Sequence, residues 1–224
     1  MLFSSSAAVY GAGTGHRLAE VAPLIPVNPY GWSKLHGERL LHAHAAKDGL
    51  RFVALRYFNV AGTENPHWLE PASPSVLSAL CAALQAGTPP QINGHDYPSR
   101  DGTSVRDFIH AADVAQAHLA VAGLLDRDGC AATFNVGTGV GHTIGELLTH
   151  LGMLTGRPLS RLRGPRRAGD VAHSVADVNQ LRRTVGWQAG HSFTQIISSH
   201  WNACQHTSGS TASARAPRPA TSLI

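Results

Sequence analysis

Tyr30-Gly31-Trp32-Ser33-Lys34 opens a segment that runs to Asp48; Gly49 follows, and then comes Arg51-Phe52-Val53-Ala54-Leu55-Arg56-Tyr57-Phe58. Leu35, Leu40, Leu41 and Ala45 recur at helical spacing, so Tyr30 to about Asp48 is expected as a helix with Gly49 as its stop. The Arg51–Phe58 run lacks polar alternation and reads as a strand buried on both faces, the habit of parallel sheets. Upstream, Met1-Leu2-Phe3 runs into Ser4-Ser5-Ser6 as a strand runs into its end, and Pro23, Pro26 and Pro29 keep the intervening loop extended. Strand, loop, helix and strand make a crossover unit of a parallel sheet, which sets the class as α/β.

The chain has 224 residues with 43% apolar content, enough for a sizeable core, and only 14% charged residues. Eighteen basic against fourteen acidic side chains leave +4. The excess is largely arginine in the last third, which suits a phosphate-bearing ligand better than a nucleic-acid track, and no nucleic-acid motif appears. No apolar run approaches the length of a membrane span. The three cysteines, Cys81, Cys130 and Cys204, are far apart with no CxxC, so neither a disulfide framework nor a thiolate zinc site is indicated, and a reducing cytoplasm fits. The fourteen histidines are scattered and lack metal-ligand spacing, so no metal is expected.

Further helices are expected at Val76–Ala86, at Ala111–Leu125 begun by Asp113, at Thr143–Gly152 with Thr143 and Glu146 in a capping box, and at about Phe193–Cys204. Gly94–Gly102 reads as a polar turn region with a segment Val105–His110 behind it, and a short strand is expected at Thr133–Val136. From His206 the composition is nearly all Ser, Thr, Ala, Pro, Gly and Arg, and it reads as a disordered tail over 206–224. Two glycine clusters, Gly11–Gly15 and Gly137–Gly141, lack the spacing and the following helix of a dinucleotide loop and read as turns.

Chemistry concentrates at Tyr30 and Lys34, a phenol and an ammonium four apart and so neighbours on one helical face. A cation there favours the phenolate, the form a phenolic general base requires. Ser4-Ser5-Ser6 lie at a strand's carboxyl end, where open parallel sheets bind ligands, and a serine there can hydrogen-bond the oxygen that the tyrosine deprotonates.

Phe3-Ser4-Ser5-Ser6-Ala7-Ala8-Val9-Tyr10-Gly11, Asn28-Pro29-Tyr30-Gly31-Trp32-Ser33-Lys34 and Leu55-Arg56-Tyr57-Phe58-Asn59-Val60-Ala61-Gly62 together resemble the extended short-chain dehydrogenase/reductase superfamily. The segment Gly94–His110, with Phe134–Gly139 and Pro165–Asp170 following in order, resembles the UDP-glucose 4-epimerases within it. The resemblance covers about Met1 to Gln205. It implies the later half of a doubly wound (Rossmann-type) parallel sheet over residues 1–60. A smaller, mainly UDP-sugar-binding α/β domain would cover 61–205, with the 111–125 helix packing back on the sheet.

It implies further that Tyr30 is the base for the sugar 4-hydroxyl and that Lys34 sustains the phenolate and contacts the nicotinamide ribose of NAD. Ser6 would bond the 4-oxygen, Phe58 would sit by the cofactor, and Asn59 would contact the sugar nucleotide. Arg106 and Arg167 would bind the pyrophosphate, and Asp170 the uridine ribose. The implied reaction is epimerisation of UDP-glucose and UDP-galactose at C4, in a homodimer. A dehydratase would need a carboxylate pair beside Ser5-Ser6-Ala7, which is absent. The family's Gly-rich phosphate loop is expected before Met1, so the chain reads as a C-terminal part, with NAD binding and activity impaired in isolation. A remnant that binds UDP-sugar or another chain through an open sheet edge is the rival reading.

Overall fold

The structure is a computed structural model and describes residues 1–12, 17–69, 75–156 and 161–213, without the side chains of 207–213. Its first half contains β1 (Leu2–Ser6), a 3-10 turn (Ala7–Tyr10), α1 (Pro29–Asp48), β2 (Phe52–Tyr57), β3 (Asn59–Ala61), α2 (Val76–Gln85), β4 (Gln91–Asn93) and β5 (Val105–His110). The second half adds α3 (Ala111–Ala122), β6 (Ala131–Val136), β7 (Gly141–Thr143), α4 (Ile144–Thr155), β8 (Leu162–Gly164), β9 (His173–Ser174), α5 (Asn179–Val185) and α6 (Phe193–Ser213).

Strands β1, β2 and β6 form a parallel sheet in that order, with β1 at its edge and α1 as the β1–β2 crossover. Asn28 caps α1 by accepting from Gly31 N at 2.8 Å, and Gly49, at φ 69°, closes it in a left-handed conformation that costs a glycine little. β2 is buried from Phe52 through Arg56. Leu35 and Leu41 face inward, but Leu40 is 60% exposed. Five residues from Leu35, it stands roughly 140° round the helix. The inward position between Leu35 and Leu41 belongs to Glu38 instead. At Gly37 a Cβ would meet the Phe3 ring at 2.5 Å, so this glycine lets α1 lie close on β1.

α3 packs through Val114, Ala117 and Val121 against Val53, Leu55, Phe134 and Val136 of the sheet. A second core joins α2, α4 and α6 around Leu80, Leu147, Leu151 and Ile196. β5 links the two, because successive side chains of a strand face opposite ways: Ile109 enters the first core and Phe108 the second. β5 also pairs with β3, β7 and β9, while β4 pairs with β8.

Two further expectations need correction. Asp113 does not begin α3; His110 does, its Nδ1 accepting from Ala112 N, while buried Asp113 takes the backbone N–H groups of Gly190 and His191. α6 continues to Ser213, beyond Cys204 and into the stretch whose composition reads as tail; residues 214–224 lie outside the described residues. The capping box of Thr143 and Glu146 is present in both directions. Among the described residues, no helix is long and apolar enough to cross a membrane.

Candidate active site

The serines at the end of β1 divide by strand alternation. Ser5 points inward and donates to Glu38. Ser4 and Ser6 face the other way. The Ser4 carbonyl accepts from Lys34 Nζ at 2.9 Å, and its hydroxyl accepts from Tyr57 Oη at 2.8 Å. Ser6 Oγ accepts from Ala8 N at 3.2 Å, capping the 3-10 turn, and its own proton stays available to a ligand. Burial, with a smaller contribution from the Tyr30 phenol, raises Tyr57 above its ordinary value despite the Ser4 hydrogen bond.

Tyr30 and Lys34 stand on the first turns of α1. Lys34 Nζ lies 5.6 Å from the Tyr30 ring centroid and 5.5 Å from that of Phe3. Tyr30 is 55% exposed, so its phenol is open to a ligand.

Two cavities adjoin this sheet end. One, of about 290 Å³, is lined by Ser6, Asn28, Tyr57, Phe58, Asn59, Arg106 and Asp170 among others. The other, of about 610 Å³, has α2 as a wall and shares Asn59, Arg106 and Asp170 with the first, adding Arg167. Six of the eight sequence-derived site residues therefore converge on one bilobed space. Tyr30 and Lys34 line neither lobe among the described residues; Lys34 is tied to the first one through Ser4 and Tyr57.

Arg106 is the electrostatic centre of that space. Burial depresses its pKa, Asp170 and Tyr97 work the other way, and among the described residues its guanidinium makes one hydrogen bond, to the Val105 carbonyl at 2.9 Å. A desolvated guanidinium without a hydrogen-bonded acid is costly, and a ligand anion would relieve it. Exposed Arg166 binds Asp96 at 2.8 Å and lies over the Tyr97 ring at 4.3 Å. It thereby fastens the loop that carries Arg167 and Asp170. Asp107 turns away from its neighbour Arg106 and takes Thr138 N, Thr138 Oγ1, Gly139 N and Ala176 N. The amides of the second glycine cluster thus serve a protein carboxylate rather than a phosphate; much of the first cluster lies outside the described residues.

The sequence reading missed the network beneath the site. Arg56 pairs with Glu38 at 2.6 Å and donates to Tyr10 Oη at 2.8 Å, and Tyr10 donates to Asn135 Oδ1 at 2.7 Å. Ser5, Arg56 and Asn135 stand in one register row across β1, β2 and β6. Burial pushes the Tyr10 phenol up to about 12, despite Arg56. An arginine in the middle of an apolar strand, with a glutamate one turn after Lys34, was the signal available.

A parallel sheet with crossover helices, beside a second core and with a cleft at the carboxyl end of its strands, defines an α/β fold of the doubly wound class. The profile of the NAD dependent epimerase/dehydratase family matches residues 1–137, and the chain belongs to that family. It is 39% identical over 209 residues to the UDP-glucose 4-epimerase of Lacticaseibacillus casei, covering 90% of this chain and 62% of that one. With the Azospirillum brasilense UDP-glucose 4-epimerase, identity is 40% over 195 residues, covering 85% and 56%. Among solved structures, the Stenotrophomonas maltophila UDP-glucose 4-epimerase with bound NAD and formylated UDP-arabinopyranose superposes at TM-score 0.85 with 37% identity, covering 93% of this chain and 64% of that one. The Bifidobacterium longum enzyme in complex with NAD+ and UDP gives 0.82, 32%, 93% and 64%. The chain spans under two thirds of the length of these relatives.

Proposed function

We propose that the chain carries the acid–base residues and the sugar-nucleotide cleft of an NAD-dependent UDP-glucose 4-epimerase. Tyr30 takes the proton of the sugar 4-hydroxyl and later returns it. Lys34 supports the phenolate by its charge, and Ser6 Oγ donates to the same sugar oxygen. Arg106 and Arg167 bind the diphosphate in the fork geometry that suits its oxygens, Asn59 holds the sugar nucleotide, and Asp170 accepts from the uridine ribose.

Among the described residues Lys34 makes a single hydrogen bond and Ser6 Oγ accepts one without donating, and Phe58 borders the smaller lobe, a set that fits the nicotinamide ribose of NAD. In that site NAD supplies the hydride acceptor and donor for C4, so a 4-keto sugar is the species turned over. The domain division at about residue 60, a homodimer and a cytoplasmic setting belong to the same reading.

The observation that carries it is the desolvated Arg106 at the junction of two lobes that also gather Asn59, Arg167 and Asp170. Calorimetric titration of the chain with UDP, uridine and inorganic phosphate tests it. UDP should bind far more tightly than either fragment, and equal binding of all three would overturn the reading. Epimerase turnover with added NAD is the second measurement. The β1 edge, whose outer side has no strand partner among the described residues, favours a second reading in which the chain binds UDP-sugar and pairs with another chain there. UDP binding without turnover would favour that reading.

A further inference from the structure

Cys81 on α2 and Cys204 on α6, 123 positions apart in the chain, meet in the core of the smaller domain. Cys81 is fully buried and Cys204 is 8% exposed. His200 precedes Cys204 by one helical turn, and the three ligand-capable atoms of Cys81, His200 and Cys204 lie within 4.8 Å of one another. Such a trio raises two chemistries, metal binding and sulfur–sulfur bonding. The imidazole decides between them. His200 Nδ1 accepts from Gly62 N at 3.2 Å, so Nε2 carries the ring proton and faces Ser78 Oγ at 3.1 Å. Neither nitrogen keeps a lone pair for a metal ion unless the Gly62 hydrogen bond is broken.

We propose that Cys81 and Cys204 are a redox pair that closes to an intramolecular disulfide with a small hydroperoxide as the oxidant, fastening α2 to α6. The two sulfurs lie within 4.8 Å of each other, so closing a bond of about 2 Å requires the two side chains to move together. Cys204 has the thiolate character the first step needs: the Cys81 S–H pulls its pKa down to about 5, with help from His200 and against burial. Cys81 is raised in consequence and keeps the proton.

The Cys204 thiolate attacks one peroxide oxygen, and the O–O bond breaks. Hydroxide, or the alkoxide of an organic hydroperoxide, leaves and is protonated to water or the alcohol, and Cys204 becomes a sulfenic acid. The Cys81 sulfur then attacks the Cys204 sulfur, and the S–O bond breaks. The departing hydroxide takes the Cys81 proton as water. Two thiols lose two electrons and the peroxide gains them.

The bond would act on the cleft. α2 presents Val76, Ala79, Leu80 and Ala83 to the larger lobe, and Cys81 lies on the side turned to α6. Oxidation therefore ties one cleft wall to the C-terminal helix. Cys130 sits apart, against the other core, with its thiol donating to Phe52 O at 3.7 Å.

The test uses the full chain with Cys130→Ser, treated with hydrogen peroxide, unfolded and alkylated. The alkylatable thiols should fall from two to none, the mass should drop by two hydrogens with no dimer, and dithiothreitol should restore both thiols. Adding Cys81→Ser should convert the response at Cys204 to gain of oxygen, which dithiothreitol does not reverse once the sulfinic acid forms. Two thiols still alkylatable after peroxide, oxygen gain in the two-cysteine protein, or a co-purified zinc ion shielding both sulfurs would each overturn the proposal. If Cys130→Ser fails to fold, peptide mapping of the peroxide-treated unsubstituted chain decides the same question: a Cys81–Cys204 cross-link supports the proposal, and its absence overturns it.

Discussion

Glu38 and Arg56 form an ion pair 2.6 Å long, with side chains only 2% and 5% exposed, directly beneath the helix that carries Tyr30 and Lys34. Glu38 is one turn beyond Lys34, and Arg56 lies in the register row with Ser5 and Asn135. The pair therefore fixes the rotation of α1 against β1 and β2. Burial works against the Arg56 cation, but Glu38 and Tyr10 outweigh it and raise its pKa.

Replacing one partner should expose the cost of the other. Glu38→Ala leaves a buried guanidinium facing Tyr10 and is expected to cost about 3–5 kcal/mol of folding stability. Glu38→Leu combined with Arg56→Met removes both charges and should cost much less. Urea unfolding of the two variants measures the difference; equal losses would mean that volume, not charge, holds the helix.

Arg106 should show the opposite balance. Its guanidinium is desolvated with no hydrogen-bonded acid among the described residues, so Arg106→Met is expected to leave the ligand-free chain as stable or more stable. The same change should weaken UDP binding by about 1.5–3 kcal/mol, the worth of a hydrogen bond to a charged group. Thermal melts with and without UDP read both effects. A variant that loses stability yet keeps UDP affinity would place Arg106 in the scaffold instead.

Tyr30 should separate chemistry from binding. Tyr30→Phe keeps the ring above Lys34 and removes the acidic oxygen, so turnover with NAD should fall about 10²–10⁴-fold, the usual worth of a general base. UDP affinity should not change, because neither lobe is lined by Tyr30. Steady-state turnover and UDP titration of the same preparation decide it, and a joint loss would count against a proton-transfer role.

Local pattern made much of this legible. The apolar run of β2, the Gly49 stop of α1 and the Thr143 capping box are short-range signals that tertiary packing did not reverse. The cleft residues were found through motif resemblance, since nothing in the spacing of Arg106 and Asp170, 64 positions apart, says that they meet. Polar burial was the least legible part. Glu38 fills a position where an apolar residue is expected, and Leu40 is exposed, because Arg56 offers Glu38 a partner that only the folded sheet supplies. The Cys81–Cys204 contact escaped for the same reason: it depends on how α2 packs on α6.

His110 makes stability depend on mild acid. It is 1% exposed, stacks on His191 at 4.0 Å, caps α3 through Nδ1 and meets Ser199 Oγ at 3.0 Å through Nε2. Burial, then the neighbouring His191, lowers its pKa below 6.5, although Asp113 and Glu64 pull the other way. His142, stacked on Phe193, is lowered as well, chiefly by burial. For a depressed pKa the unfolded chain binds protons first, so stability is full above 6.5 and declines as pH falls from there through the folded-state values. Protonating Nδ1 would also abolish the α3 cap. His110→Asn keeps a capping acceptor but cannot titrate, so its unfolding midpoint should fall less steeply between about pH 7 and 5 than that of the unsubstituted chain. Urea midpoints across that range measure it, and identical slopes would assign the acid sensitivity to His142 or to other groups.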